Sequence, residues 1–297
     1  MSATSIASRS CDAHVHVFDP ARFPYASPRR FTPGRADVAE LLAHLRSIDA
    51  GRVVLVQPSV YGHDHRCLVD ALTQLQGMAR GIAVIGPQTS DEEIALLNTV
   101  GVRGARLNLV VDGIADLDFA REAIARLSDR IPVEWHIQLH VGLDLVRGIA
   151  DELMANTRHF VLDHFGLPKD DRRDAAAELR SLTDLMRAGK LTVKLSAPYL
   201  CIAQSEDPST LEPLVAHLCR INPRAVVWGT NWPHTQGTAR SESSPIDKIE
   251  PFRDVDDASW LQLCRSWLHR LALPASTFDD NSTRLYGFEP SAAGKSA

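Results

Sequence analysis

The sequence predicts a (β/α)8 TIM barrel, and three observations predict it. Short apolar, β-branched runs recur along the chain at intervals that leave room for a helix between them. Eight such runs can be counted, and eight units favour closure into a barrel over an open sheet. The length also fits, because a barrel of this kind needs roughly 250 residues and the chain has 297. One domain covering 1–297, with a core of about 10–288, is the expectation.

The candidate strands are 12–17, 52–57, 81–85, 102–108, 133–140, 160–164, 191–196 and 225–229. Between them lie segments with apolar residues at helical spacing. Segment 38–48 puts Val38, Leu41, Leu42 and Leu45 on one side, and 68–78, 94–100, 119–127 and 175–188 behave similarly. No Gly-x-Gly-x-x-Gly follows the first run, which argues against a dinucleotide-binding sheet. The Ser/Glu/Asp-rich stretch 235–247 reads as a long loop after the last strand, and the small, polar tail after Phe288 as a fraying end.

Composition narrows the partners. A net charge of −5 supplies no basic field for a phosphate backbone, so nucleic acid is not an expected partner. No apolar stretch is long enough to span a membrane. The opening MSATSIASRS lacks the apolar segment of a secretory leader. Five cysteines without a C-x-x-C pair read as reduced thiols, so a cytoplasmic protein is expected. The oligomeric state is not legible.

The chemistry concentrates at predicted strand ends, where barrels place catalytic groups. His14 and His16 end the first strand. Residues two apart on a strand share a side, so the pair projects together, either into the barrel mouth or outward as surface histidines. Such imidazoles could ligate a metal or donate to a developing oxyanion. His164 ends the sixth strand. The eighth runs into Gly229, Thr230, Asn231, Trp232, Pro233 and His234, which suggests an apolar wall holding polar groups. Ser59 and Tyr61 follow the second strand, Arg106 and Asn108 end the fourth, and Gln138 and His140 end the fifth. Lys194, Ser196 and Tyr199 close the seventh. An inward Arg106 is either a carboxylate clamp or a charge-paired core residue. Lys194 reads as structural, buried with a carboxylate below the site. Cys201 has no neighbour suited to be its base, so no thiol nucleophile is expected.

These motifs occur in an ordered set: DAHVHVFDP (12–20), FPYASPRRF (23–31), VQPSVYGHD (56–64), ARGIAV (79–84) and GVRGARLN (101–108). WHIQLH (135–140), VLDHFG (161–166), VVWGTNWPH (226–234) and NSTRLYGF (281–288) complete it. The set resembles the amidohydrolase-related family of the amidohydrolase superfamily, in the group that contains 2-pyrone-4,6-dicarboxylate lactonase. The resemblance spans roughly residues 10–288. It implies hydrolysis of a small lactone, with histidines and an Arg polarising the carbonyl and a last-strand carboxylate activating water. On matching positions, His14, His16 and His164 would surround the carbonyl, Ser59 would orient the substrate, and Arg106 would hold a carboxylate or polarise an oxygen.

The chain departs from that pattern in four places. His140 stands where the lactonase has Tyr. Asn231 stands where it has Asp, and a neutral amide cannot take a proton from water. Two further arginines that bind the dicarboxylate are missing, since 109–112 reads LVVD and 197–200 reads APYL. A buried carboxylate without a partner is costly, so the pyrone dicarboxylate is not the expected substrate. The resulting expectation is a metal-independent hydrolase for a small sugar-acid or aromatic-catabolic lactone, without a cofactor. Catalysis would rest on His14, His16, His164 and Asn231, and substrate contacts on Ser59, Tyr61, Arg106, Asn108, His140, Tyr199 and His234. Three alternatives stand beside it. Zinc could bind through His14, His16 and His140; a substrate hydroxyl could attack the carbonyl, giving a lactone isomerase; or the barrel could be an inactive ligand-binding protein.

Overall fold

Eight parallel strands form one sheet whose order follows the chain. They are β1 (Cys11–Val15), β2 (Arg52–Val56), β3 (Ala79–Ala83), β4 (Val102–Asn108), β5 (His136–His140), β6 (Phe160–Leu162), β7 (Leu191–Leu195) and β8 (Val226–Trp228). The computed structural model describes residues 10–112, 116–168, 175–202, 207–236 and 246–289. The barrel closes just beyond β8. There the Asn231 N–H donates to the His14 carbonyl and the His16 N–H to the Trp232 carbonyl, both at 2.8 Å. Gly229 makes this seam feasible, because a Cβ there would sit 2.8 Å from the His14 nitrogen.

Each predicted strand is present, the fourth with the ends expected and the others with shifted ends. The fifth loses 133–135, because Pro132–Trp135 forms a turn that leaves Val133 in solvent. The third starts two residues early, so that Ala79–Ile82 pairs with Val53–Val56. The sixth stops at Leu162, because His164 and Phe165 adopt left-handed backbone. The predicted helices appear as Val38–Ser47, Arg66–Gln74, Asp91–Val100, Leu117–Arg130 and Ala175–Arg187. Local chemistry starts the first of these: Asp37 and Glu40 form a reciprocal capping box. The helices Glu212–Ile221 and Asp257–Arg270, and the two-residue pairing of Thr32–Pro33 with Ile249–Glu250, were not anticipated. Part of the predicted loop, 237–245, and the tail from 290 lie outside the described residues. The five cysteines are free thiols, and no helix among the described residues is long and apolar enough to cross a membrane.

Three strand ends turn through left-handed, non-glycine residues: His164 (φ 51°) after β6, Ala197 (φ 49°) after β7 and Asn231 (φ 72°) after β8. Each costs on the order of 1–3 kcal/mol, and such strain gathers where side chains must be aimed. All three lie at the C-terminal ends of the strands.

Candidate active site

The site is built in two layers. The lower layer is a buried charge cluster inside the barrel, centred on Asp163. Its Oδ1 lies 3.3 Å from His14 Nδ1 and 3.7 Å from Lys194 Nζ. Its Oδ2 accepts from Gln138 Nε2 at 3.2 Å and from Arg106 at 3.4 Å. Lys194 also donates to the Ala13 carbonyl at 2.9 Å and to Gln138 Oε1 at 2.7 Å. Buried ions cost several kcal/mol each unless paired, and this network pairs them. Burial alone pushes the Asp163 carboxyl up, but His14, Lys194 and Arg106 outweigh it and hold the group well below the usual range. Burial pushes Lys194 down to about 8, against the pull of Asp163. Lys194 and Arg106 flank Asp163 there, and a second buried carboxylate, Asp12, also acts on Lys194.

The upper layer surrounds a cavity of about 250 Å³. His16, Arg106, His140, His164 and Asn231 line it, with Ser59 and Asn108 at the side. Phe18, Phe31, Leu167 and Leu200 supply apolar wall. Hydrogen bonds fix what some of these groups present. His16 Nδ1 lies 2.7 Å from the Val56 carbonyl, which can only accept, so Nδ1 carries the proton and Nε2 keeps a lone pair. Burial first, then Arg106, push His16 down to about 3, so it is neutral. His164 Nδ1 sits 2.8 Å from Ser196 Oγ, a hydroxyl that can donate or accept. Burial pushes His164 down to about 4. The Arg106 guanidinium reaches His140 Nδ1 at 3.3 Å and can only donate there.

The structure thus gathers His16, Ser59, Arg106, Asn108, His140, His164 and Asn231 around one cavity, and four predicted residues elsewhere. His14 lies beneath, fully buried, with its Nδ1 on Asp163 and its Nε2 without a protein partner. Tyr61 turns away, because Ser59–Tyr61 is a single 3-10 turn in which residues two apart do not share a side. Its hydroxyl accepts from the Asp19 N–H at 2.9 Å instead. Tyr199 and His234 do not line the cavity either; they stand behind Asn231, bonded to each other at 3.2 Å. The zinc set His14, His16 and His140 does not converge. Among the described residues the trio whose ligand atoms lie within 4.8 Å of one another is His14, Asp163 and His164, while His16 Nδ1 is spent on Val56 and His140 Nδ1 on Arg106.

Two residues escaped the sequence reading. Asp163 precedes His164, and strand alternation would place them on opposite sides. The strand ends one residue earlier, and the left-handed turn brings both inward. A buried Lys194 that needs a counter-charge was the available signal. Asp257, which meets His234 Nε2 at 2.8 Å, gave none, being a helix-start residue far along the chain.

Histidines at the ends of β1, β5 and β6 over a buried ionic floor, with an amide after β8, define an amidohydrolase-type barrel. Residues 11–288 match the family model described as amidohydrolase, and the chain belongs to that family. A 4-sulfomuconolactone hydrolase of Hydrogenophaga intermedia is 28% identical over 233 residues, 76% of this chain and 75% of the relative. A 2-pyrone-4,6-dicarboxylate hydrolase of Comamonas testosteroni is 30% identical over 235 residues, 75% and 76% of the two chains. A D-galactarolactone isomerase of Agrobacterium fabrum is 23% identical over 287 residues, covering 94% and 91%.

Proposed function

We propose that the protein is a metal-independent hydrolase that opens a small lactone bearing one anionic group. One observation carries the reading: a single cavity holds a fixed cationic donor, Arg106, and a fixed acceptor, the Nε2 lone pair of His16. Arg106 polarises the lactone carbonyl. Water attacks the carbonyl carbon as its proton passes to His16 Nε2, with the Asn231 amide orienting it. The ring C–O bond breaks, and the leaving oxygen takes a proton from His16 or through His164, giving the hydroxy acid. His16 thereby fills the role that the amide of Asn231 cannot. The substrates named for the two hydrolase relatives are both lactones, which supports the reaction class. Among the described residues that line the cavity Arg106 is the one Lys or Arg, which supports one carboxylate or sulfonate rather than two.

The residues do not fit a divalent cation. His14, Asp163 and His164 approach one another, but Asp163 is already shared by Lys194 and Arg106. A metal there would add two charges beside the two buried cations that already hold Asp163, and Asn231 supplies no anionic ligand. Activity is therefore expected to survive exhaustive chelation, with well under one equivalent of zinc by plasma emission. Stoichiometric zinc whose removal abolishes turnover and whose return restores it would overturn this.

Asn231 favours a second reading, in which a substrate hydroxyl attacks the carbonyl and the product is an isomeric lactone. The isomerase relative supports that alternative. Incubation with a panel of sugar-acid and muconic lactones, followed by NMR, separates the readings. The open acid is the expected product; a new lactone would establish isomerisation, and binding without turnover an inactive barrel. Asn231→Asp is expected to raise hydrolysis, or to divert an isomerase towards the open acid. An unchanged rate and product would remove Asn231 from the reaction.

A further inference from the structure

Behind the cavity a chain of hydrogen bonds runs from Asn231 to Asp257. Asn231 Nδ2 meets the Tyr199 hydroxyl at 2.9 Å, that hydroxyl meets His234 Nδ1 at 3.2 Å, and His234 Nε2 meets Asp257 Oδ2 at 2.8 Å. Each link could in principle run in either direction, because a hydroxyl, an imidazole and an amide each offer both a donor and an acceptor. The carboxylate cannot. An ionised Asp257 only accepts, and it occupies the first turn of helix Asp257–Arg270, where the helix dipole favours negative charge. A neutral His234 then carries its proton on Nε2, which leaves Nδ1 as an acceptor. The Tyr199 hydroxyl donates to it, and its oxygen is free to accept from the Asn231 amide nitrogen. Asn231 is left with Oδ1, buried and without a protein partner, at the wall of the cavity.

From this we infer that Asp257 is a positioning residue: through His234 and Tyr199 it sets the polarity of the chain and makes Asn231 present an acceptor to the cavity. The polarity decides what Asn231 does. With Oδ1 inward, the amide accepts from the attacking hydroxyl, whether water or a hydroxyl of the substrate. With the NH2 inward, it would instead donate to the carbonyl oxygen. His44, the other imidazole beside Asp257, has its Nδ1 3.8 Å away and is too far to compete for the hydrogen bond. The assignment of polarity needs no substrate. Its consequence for catalysis rests on the cavity being the reaction site proposed above.

The test has two parts. In the free enzyme labelled with 15N-histidine, long-range 1H–15N spectra are expected to show His234 as the neutral Nε2–H tautomer, its signals assigned by their loss in His234→Gln. Asp257→Asn, whose amide can donate as well as accept, should lose that single tautomer, and Asp257→Glu should keep it. A wild-type His234 protonated on Nδ1, alone or as the imidazolium, would reverse the chain and overturn the inference, whatever the enzyme turns over. In turnover, Asp257→Asn and Tyr199→Phe should each lower kcat by roughly tenfold to a hundredfold, as for a misplaced reactive group, with little change in KM. In an Asn231→Ala background the Asp257→Asn change should cost nothing more, because its effect runs through that amide. Equal losses in both backgrounds would show that Asp257 acts elsewhere, and the positioning role would fall.

Discussion

His16→Ala is expected to lower kcat by a factor on the order of 10²–10⁴, the range for a positioned general base, with little change in KM and a circular dichroism spectrum like the wild type. The expectation follows from one hydrogen bond. Because the His16 Nδ1–H donates a hydrogen bond to the Val56 carbonyl at 2.7 Å, the ring meets the cavity with a lone pair and cannot donate to a lactone carbonyl while neutral. Burial and the nearby Arg106 push the group down to about 3, which makes it a weak base in the free enzyme. A bound anion that offsets Arg106 removes that cation's share of the pressure, while the larger share, burial, remains. His16→Gln should be nearly as damaging, since an amide can orient water but cannot hold its proton. Turnover by His16→Ala within threefold of the wild type would show that the proton goes elsewhere.

That role was legible only in part from the sequence. The spacing of His14 and His16 placed both on one side of a strand ending at the barrel mouth, and both do point inward. Their depths differ, however. Two residues of strand separate a lining group from one buried in the ionic floor, and periodicity carries no information about depth. The strands themselves were legible because each is an apolar run long enough to stand out against its flanks. Their ends were less so, being set by partner register, as in Ala79–Ile82 against Val53–Val56, or by a single turn, as at Pro132. Of the two readings left open for Arg106, the charge pair is present, with Asp163, and the guanidinium also lines the cavity. Residues whose partners lie on distant elements were hardest to read. Tyr199, His234 and Asp257 belong to three separate segments, and nothing local in any of them signals the other two.

The other large effect expected is steep acid unfolding. His14, His16, His136, His140 and His164 are buried, and burial holds all five below the ordinary imidazole value. His16 is held down to about 3 and His164 to about 4. In the unfolded chain each titrates near 6.5. Below that pH the unfolded state binds protons that the folded state refuses, so stability is fully present at neutral pH and falls as pH falls. Five such groups at about 1.4 kcal/mol per proton per pH unit remove about 6 kcal/mol between pH 7 and 5.5. That is comparable with the whole stability of a typical domain, roughly 5–15 kcal/mol. Asp163 has the same sign but a lower window, since its stabilisation is lost only as pH falls below the ordinary carboxylate range. The midpoint of unfolding, followed by circular dichroism in buffers from pH 7.5 to 4.5, should therefore drop sharply below pH 6.5, and the protein should unfold at room temperature between about pH 5 and 6. Replacing His136 by Gln removes one of the five groups from deep in the barrel, away from the cavity. If that variant folds, its stability should fall less steeply with acid, by about one proton in the slope. A melting temperature that stays level from pH 7 to 5 would mean that the folded barrel accepts these protons, and that the imidazoles are not held neutral by burial.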